Sequence, residues 1–246
     1  MPSEHQSKQS REQCGAAGLP GNVEPRPCAT LLDKPAVAPS ATDWNRYYDR
    51  PARAATVTRR ITAAALLQQM RQWATPQPIV AELGGANSCF FDAIQAALRP
   101  QQYHVVDNNQ LGLDQLRRRT GERDDVFLHN GDVLNLALPC QMDLVFSVGL
   151  IEHFDLAGTQ RAVRAHFDFL KPGGIAVISF PTPTLLYRIA RRTAELSGKW
   201  IFHDERPLRL REVAAAAEPC GQMLFQRIIW PIVFTQQLCV WRKLGD

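Results

Sequence analysis

Several classes of protein are set aside by what this 246-residue sequence lacks. Its six cysteines (Cys14, Cys28, Cys89, Cys140, Cys220, Cys239) form no C-x-x-C pair and no cluster with histidine. That argues against a disulfide framework or a zinc site, and for reduced thiols. The leading segment MPSEHQSKQSREQ has no apolar core, so no secretory signal is expected. The longest apolar run, MLFQRIIWPIVF, is too short and too interrupted to span a bilayer. Charge of one sign is scarce as well. The net charge is +4 with no clustered basic stripe, so nucleic acid is not an expected partner. No internal repeat is evident, and a cytoplasmic location is expected.

What the sequence does contain is an ordinary globular balance, 45% hydrophobic and 21% charged, sufficient for one sizeable core. Residues 1–41 are rich in Pro, Gly, Ser and charge without sustained period, and read as a disordered tail ahead of a single domain over 42–246. Trp44, Tyr47 and Tyr48 open that domain. A helix follows at about 56–74, with Leu66, Met70 and Trp73 at i, i+4, i+7, and Pro76 and Pro78 stop it. Apolar strand-like runs then appear in PIVAEL, YHVVD, VFLHN, MDLVFSV and IAVISF, separated by helical segments at about 88–99, 110–119 and 159–170. Such nearly continuous apolar strands between helices imply a parallel sheet covered on both faces, doubly wound by right-handed crossovers. Beyond it lie a basic amphipathic segment within 181–207, a helix at about 208–218, and the strand-like runs LFQRIIW and QLCVWRK.

Ligands of open α/β sheets bind at the carboxyl ends of the strands. Here those ends carry Glu82, Gly84 and Gly85, then Asp107 and Asn108, then Gly131 and Asp132, then Ser147, Val148 and Gly149. Asp107 follows Gly84 by 23 residues, the offset at which an acidic side chain can accept both ribose hydroxyls. A dinucleotide loop would need glycines where Ala86 and Cys89 stand, and Glu82 would repel a pyrophosphate. A cofactor carrying an amine and a sulfonium, without phosphate, would gain from that acid.

In these segments the sequence resembles the class I S-adenosylmethionine-dependent methyltransferases of the small-molecule and sugar-modifying group. AELGGANS is similar to the family's E-x-G-x-G-x-G loop, VVDNN to its ribose-binding strand end, and NGDVLNL to its adenine-side segment. DLVFSVGLIEHF and LKPGGIAVISFP are similar to its fourth and fifth strands, and the likeness extends over about 79–242. Ala86 and Ser88 stand where the family has its second and third loop glycines. The resemblance implies a Rossmann-like, mostly parallel seven-stranded sheet with an antiparallel last strand, and S-adenosyl-L-methionine as cofactor. It assigns Glu82, Gly84, Gly85 and Ala86 to the methionine end and Asp107 with Asn108 to the ribose. Gly131, Asp132 and Val133 would meet the adenine, and Ser147, Val148 and Gly149 the sulfonium side.

His153, just past the fourth strand, is the candidate base for a hydroxyl acceptor; the alternative is that it and Glu152 only brace the loop. Asp107 and Asp132 could equally cap helices. Candidate acceptor-side residues are Tyr47, Tyr48, Tyr187, Trp200 and His203, the last three within a basic, aromatic insert over 181–207. That insert fits a saccharide or lipid-linked acceptor and peripheral contact with a membrane; a solvated lid helix with snorkelling arginines is the plainer reading. Rival functions are a non-catalytic cofactor-binding module and a nucleic-acid methyltransferase, though SVGL stands where the latter would have an N-P-P-Y-like motif. A short-chain dehydrogenase is disfavoured by the absence of Y-x-x-x-K.

Overall fold

The computed structural model describes residues 41–49, 55–121, 123–230 and 233–245. The tail expected over 1–41 falls outside the described residues, apart from its last position. A short helix, α1 (Trp44–Asp49), precedes α2 (Ala55–Trp73). The alternating part runs β1 (Ile79–Leu83), α3 (Phe91–Leu98), β2 (Gln102–Asp107), α4 (Gln110–Thr120), β3 (Val126–Asn130), β4 (Met142–Val148), α5 (Leu156–Asp168) and β5 (Leu170–Pro181). It is completed by α6 (Leu185–Leu196), α7 (Leu210–Ala217), β6 (Gly221–Ile229) and β7 (Gln236–Lys243). The seven strands form one sheet in the order β3-β2-β1-β4-β5-β7-β6. Only β7 runs against the direction of the other six strands.

The unbroken apolar runs resolve into two alternating sets. Val80, Tyr103, Val105, Leu144, Phe146 and Val177 face one core, beneath α2, α3 and α4. Ala81, Leu83, Val106, Val145, Ala176 and Ile178 face the other, beneath α5 and α7. A period-two backbone sends successive side chains to opposite faces, so a strand covered on both must be apolar throughout. Helix α2 buries Leu66 and Met70 as its spacing requires. Helix α5 begins three residues before the expected start because Asp155 caps it, accepting from Gly158 N at 2.7 Å. Helix α3 begins late, because Ser88 Oγ accepts from the amides of Phe90 and Phe91 and holds a turn before the helix proper.

Packing of the β1–α3 loop explains why its glycine pattern departs from the family's. Gly84 lies at φ +71° with Leu150 against it, a conformation and a contact that exclude a side chain. Ala86 is fully buried, and its methyl points at Gly112 on α4: a Cβ added to Gly112 would sit 2.6 Å from Ala86 Cβ. The methyl group therefore fills a notch in the facing helix rather than the cleft.

Helix α5 carries a buried base. His166 Nδ1–H donates to the Ala162 carbonyl at 2.7 Å, leaving Nε2 to accept from Ser147 Oγ at 2.9 Å. Burial depresses its pKa to about 4, so it stays neutral.

Two tests follow from this packing. Gly112→Ala should lower stability by about 1–3 kcal/mol despite the better helix former, because the new methyl meets Ala86. Adding Ala86→Gly should restore the melting temperature; a single variant as stable as the parent would refute the notch. The second test concerns pH. The unfolded chain protonates His166 near 6.5 and the folded chain only near 4, so its stabilising contribution is complete above 6.5 and declines as pH falls through that interval. Urea unfolding should lose roughly 2–4 kcal/mol of stability from this residue between those limits. His166→Phe should flatten that slope in part; His104, also held near 4 by burial and by His129, contributes to what remains, as do His129 and His153, whose pKa values burial also lowers.

Candidate active site

The carboxyl ends of β1, β2, β3 and β4 converge along one edge, and Asp107 joins the first two. Its Oδ2 accepts from Ala86 N at 3.0 Å and its Oδ1 from Asn109 N at 2.8 Å, while its carbonyl accepts from Gly131 N at 3.0 Å. One residue thus pins the loops after β1, β2 and β3. Burial raises its pKa, opposed by these amide bonds. Each carboxylate oxygen retains a second lone pair for a ligand hydroxyl. Asn108, beside it, is exposed. Asp132 Oδ1 accepts from Leu134 N at 2.9 Å and its Oδ2 from Asn135 Nδ2 at 2.6 Å, which fixes the turn holding Gly131 and Val133.

Glu82 is 4% exposed and turned beneath the loop, where its Oε2 accepts from Tyr103 Oη at 2.7 Å. Burial pushes its pKa up to about 7, against hydrogen bonds from Ser88 and Tyr103 and the charge of Arg119. Gly85 lies directly over it; a Cβ there would be 2.6 Å from Glu82 Cγ and Cδ. The acid expected in open contact with ligand is instead a buried partner of Tyr103, and Gly85 is the glycine that its packing demands.

Helix α1 closes this edge. Asn109 Nδ2 donates to Asn45 Oδ1 at 2.7 Å on the β2 side. On the β4 side the Trp44 ring meets His153 edge-on, with centroids 4.9 Å apart. Between them Tyr48 packs against Gly112; burial first, then the charges of Asp107 and Glu82, drive its hydroxyl pKa upward. Arg59 Nη2 donates to Tyr47 Oη at 3.0 Å, which places a cation on the same edge, close to Tyr48 and Cys89. Tyr47 and Tyr48, expected on the acceptor side, lie in the strap over the loops that follow β1 and β2.

Past β4, Val148 and Gly149 lead into a single 3-10 turn, Ile151–His153. Gly149 has φ +70° and lies against Glu152, leaving its backbone bare toward the edge. Ser147 lends only backbone to it, since its side chain turns into the core toward His166. His153 Nδ1 lies 2.9 Å from Asp204 Oδ1, and Asp204 also accepts from Thr42 N and Thr42 Oγ1. Burial lowers the His153 pKa below 6.5, with Asp204 opposing. For Asp204, burial alone would raise the pKa, but the bonds from Thr42 and His153 outweigh it and hold it low. The pair is therefore a neutral imidazole and a carboxylate. The Nδ1 proton is donated to Asp204 and Nε2 is left as a base, the arrangement that orients a general-base histidine.

A cleft of about 1180 Å³ opens beside this pair, between α6 and residues 203–207. His153, Tyr187, Arg188, His203, Asp204 and Glu205 contribute to its walls. Tyr187 donates to Glu205, whose pKa burial raises to about 7 against that bond and the charge of Arg191. Glu152 is 1% exposed and its Oε2 has no partner among the described residues; burial first, then nearby Glu205, raise its pKa well above the ordinary value. Trp200 corrects the sequence reading. Its Nε1 donates to the Phe202 carbonyl at 2.8 Å and its ring lies under Arg191, so it braces the wall from behind and does not line the cleft. His203 is exposed on the cleft rim.

Three residues of this edge gave no sequence signal: Asp204, Arg59 and Gly112. Asp204 lies 51 residues from His153 and acts only through the fold. Among the described residues no group of His, Cys, Asp and Glu is arranged to hold a metal ion.

Comparison with known proteins agrees with this geometry. Residues 80–174 match the model of the methyltransferase-domain family. No curated protein matches the chain in sequence. Among solved structures it resembles the N-methyltransferase NodS from Bradyrhizobium japonicum WM9 in complex with S-adenosyl-L-homocysteine, at 15% identity and TM-score 0.59, over 81% of this chain and 91% of that one. It also resembles magnesium protoporphyrin IX methyltransferase from Synechocystis PCC 6803, at 11% identity and TM-score 0.63, over 81% and 92%. A third similar structure is 1,6-didemethyltoxoflavin-N1-methyltransferase from Burkholderia thailandensis, at 15% identity and TM-score 0.61, over 82% and 86%. Identities this low carry the fold alone: the chain has the Rossmann-like fold of these methyltransferases, with the matched methyltransferase domain falling on its β1-to-β5 part.

Proposed function

We propose that the protein methylates a hydroxyl of a small-molecule acceptor seated in the cleft between α6 and residues 203–207. The observation that carries this reading is the His153–Asp204 pair at the exit of β4, beside that cleft.

The residues present fit S-adenosylmethionine. Asp107 has two oxygens with lone pairs to spare for vicinal hydroxyls, and the Gly84–Ala86 backbone runs beside it. Asp132 and Val133 would border the adenine, while Glu82 supplies negative potential for the ammonium from below the loop. Arg59, hydrogen-bonded to Tyr47, would meet the carboxylate. When bound, the cofactor supplies an electrophilic methyl group. The protein's own part is to hold the acceptor oxygen in line and to take its proton on His153 Nε2, with Asp204 stabilising the imidazolium that results. Trp44 and Phe202, packed about the His153 ring, restrict water there.

The mixture of arginines, carboxyls and apolar side chains around the cleft suits a polar, multiply hydroxylated acceptor such as a saccharide, or a lipid-linked intermediate. The relatives include N-methyltransferases, and an amine acceptor is the alternative reading. An amine that arrives unprotonated needs no base, so dependence on His153 separates the two.

Calorimetry should detect binding of both S-adenosylmethionine and S-adenosylhomocysteine; if neither binds, the function fails. Asp107→Asn should weaken both by about 10–100-fold, through loss of an acceptor facing a buried amide and of the carboxylate itself. Against a panel of hydroxylated small molecules, read as S-adenosylhomocysteine formed, His153→Ala should cut kcat by about 10²–10⁴ with cofactor affinity unchanged. The kcat/KM profile should rise with pH through a midpoint below 6.5 and then level off, because the base works only when neutral and burial lowers its pKa. Asp204→Asn should lower kcat and move that midpoint further down, since the carboxylate is what raises it. A profile unmoved by Asp204→Asn would leave His153 with a structural role only.

A further inference from the structure

Helix α6 is covered on one side only. Tyr187 is buried on its inner face, and Arg191 there donates to the Glu205 carbonyl and lies over the Trp200 ring. On the outer face Leu185, Ile189 and Leu196 are 73%, 57% and 73% exposed. At 100° per residue these three fall within one narrow stripe, with Leu186 at its border. Scattered exposed leucines are ordinary; an aligned row of them on the outer face of a helix marks an interaction site.

The row continues onto the sheet edge. Thr184, which caps α6, shares a hydrogen bond with Thr235 at 2.8 Å, and Thr182 N donates to the Thr235 carbonyl. Through the pairs Ile229↔Gln236 and Gln236↔Pro181, the end of β6 emerges where α6 begins. Exposed Ile228 and Trp230 stand at that end. Cations border the row: Arg188 and Arg192 lie along one flank and Lys199 just beyond the helix, all exposed. The single acid of α6, Glu195, is already committed to Arg191 and, at 3.6 Å, to Arg192.

We propose that this face docks the protein on an anionic lipid surface, with the leucines and Trp230 in the interface and the arginines among headgroup phosphates. Charge selects this occupant over a second copy of the chain. A two-fold contact through the same row would set Arg188 and Arg192 near their own symmetry mates, whereas a phosphate-bearing surface pairs them. Among the described residues no helix is long and apolar enough to cross a membrane, so contact through α6 is peripheral. Leu185, Arg188, Ile189 and Arg192 belong to both the row and the cleft wall. An acceptor partitioned into the lipid therefore meets the cleft at the surface. This last step rests on the proposed methyl transfer; the docking itself does not.

The test is flotation of the full chain with vesicles of phosphatidylcholine alone or with phosphatidylglycerol added. Binding should require phosphatidylglycerol and weaken as salt is raised. Arg188→Gln with Arg192→Gln should weaken it about thirtyfold, and Leu196→Ser with Trp230→Ser should abolish it. An unchanged melting temperature would show these variants folded, and calorimetry with S-adenosylhomocysteine would report the cofactor site separately. No flotation, equal flotation on neutral vesicles, or self-association lost in Leu196→Ser/Trp230→Ser would each overturn the proposal. Cofactor binding without flotation would remove the lipid surface and leave the methyltransferase reading standing.

Discussion

The two amide hydrogen bonds accepted by Asp107 organise everything at the ligand edge. They tie the β1–α3 loop to the β2–α4 loop, and the residue's carbonyl adds the loop after β3. A buried carboxylate satisfied by backbone amides holds loop positions more tightly than packing alone, because separating them strands a charge without partners. Parallel strands covered on both faces leave only their carboxyl ends free to vary, and at those ends this residue fixes the spacing. Ala86, Asn109 and Gly131 are therefore held as one surface. Helix α1 lies across it, attached at Asn109 on one side and through Thr42 to Asp204 on the other.

Asp204 has a comparable position beside the α6 cleft. It accepts from Thr42 and faces His153, so the tautomer of that histidine depends on chain that precedes α1 and on the segment that follows α6. The strand-end edge and the α6 cleft thus share a boundary made of Trp44, His153 and Phe202. Rings meeting at 4.9–6.1 Å are close enough for displacement of one to be felt by the others.

Much of the fold was legible in the sequence because burial on both faces leaves a direct imprint. VVD, LVFSV and IAVISF lack the sustained polar-apolar alternation of a one-sided strand, and each belongs to a strand with neighbours on both sides. Helix boundaries were legible only to within a few residues, because they depend on which side chain caps. Asp155 extends α5 backward and Ser88 delays α3. Asp107, Asp132 and His153 were legible from their distance to strand ends. Asp204 was not, since its meaning comes from a contact across 51 residues. Trp200 was misplaced on the cleft wall because an indole in a basic, aromatic stretch reads the same whether it faces a ligand or supports an arginine. Glu82 read as a ligand-facing acid, and Tyr103, which accounts for its direction, lies on the neighbouring strand where no local pattern links them.

The pairing of Ala86 with Gly112 bears on how such loops are recognised at all. A glycine in a binding loop is required when some other atom occupies the space its side chain would take. Here that space was vacated from the opposite side, by a glycine in α4, three elements later. The requirement is therefore for a gap between two backbones rather than for a letter at a fixed place in the chain. A string pattern written on the loop alone would pass over a sequence that carries its small residue on the helix.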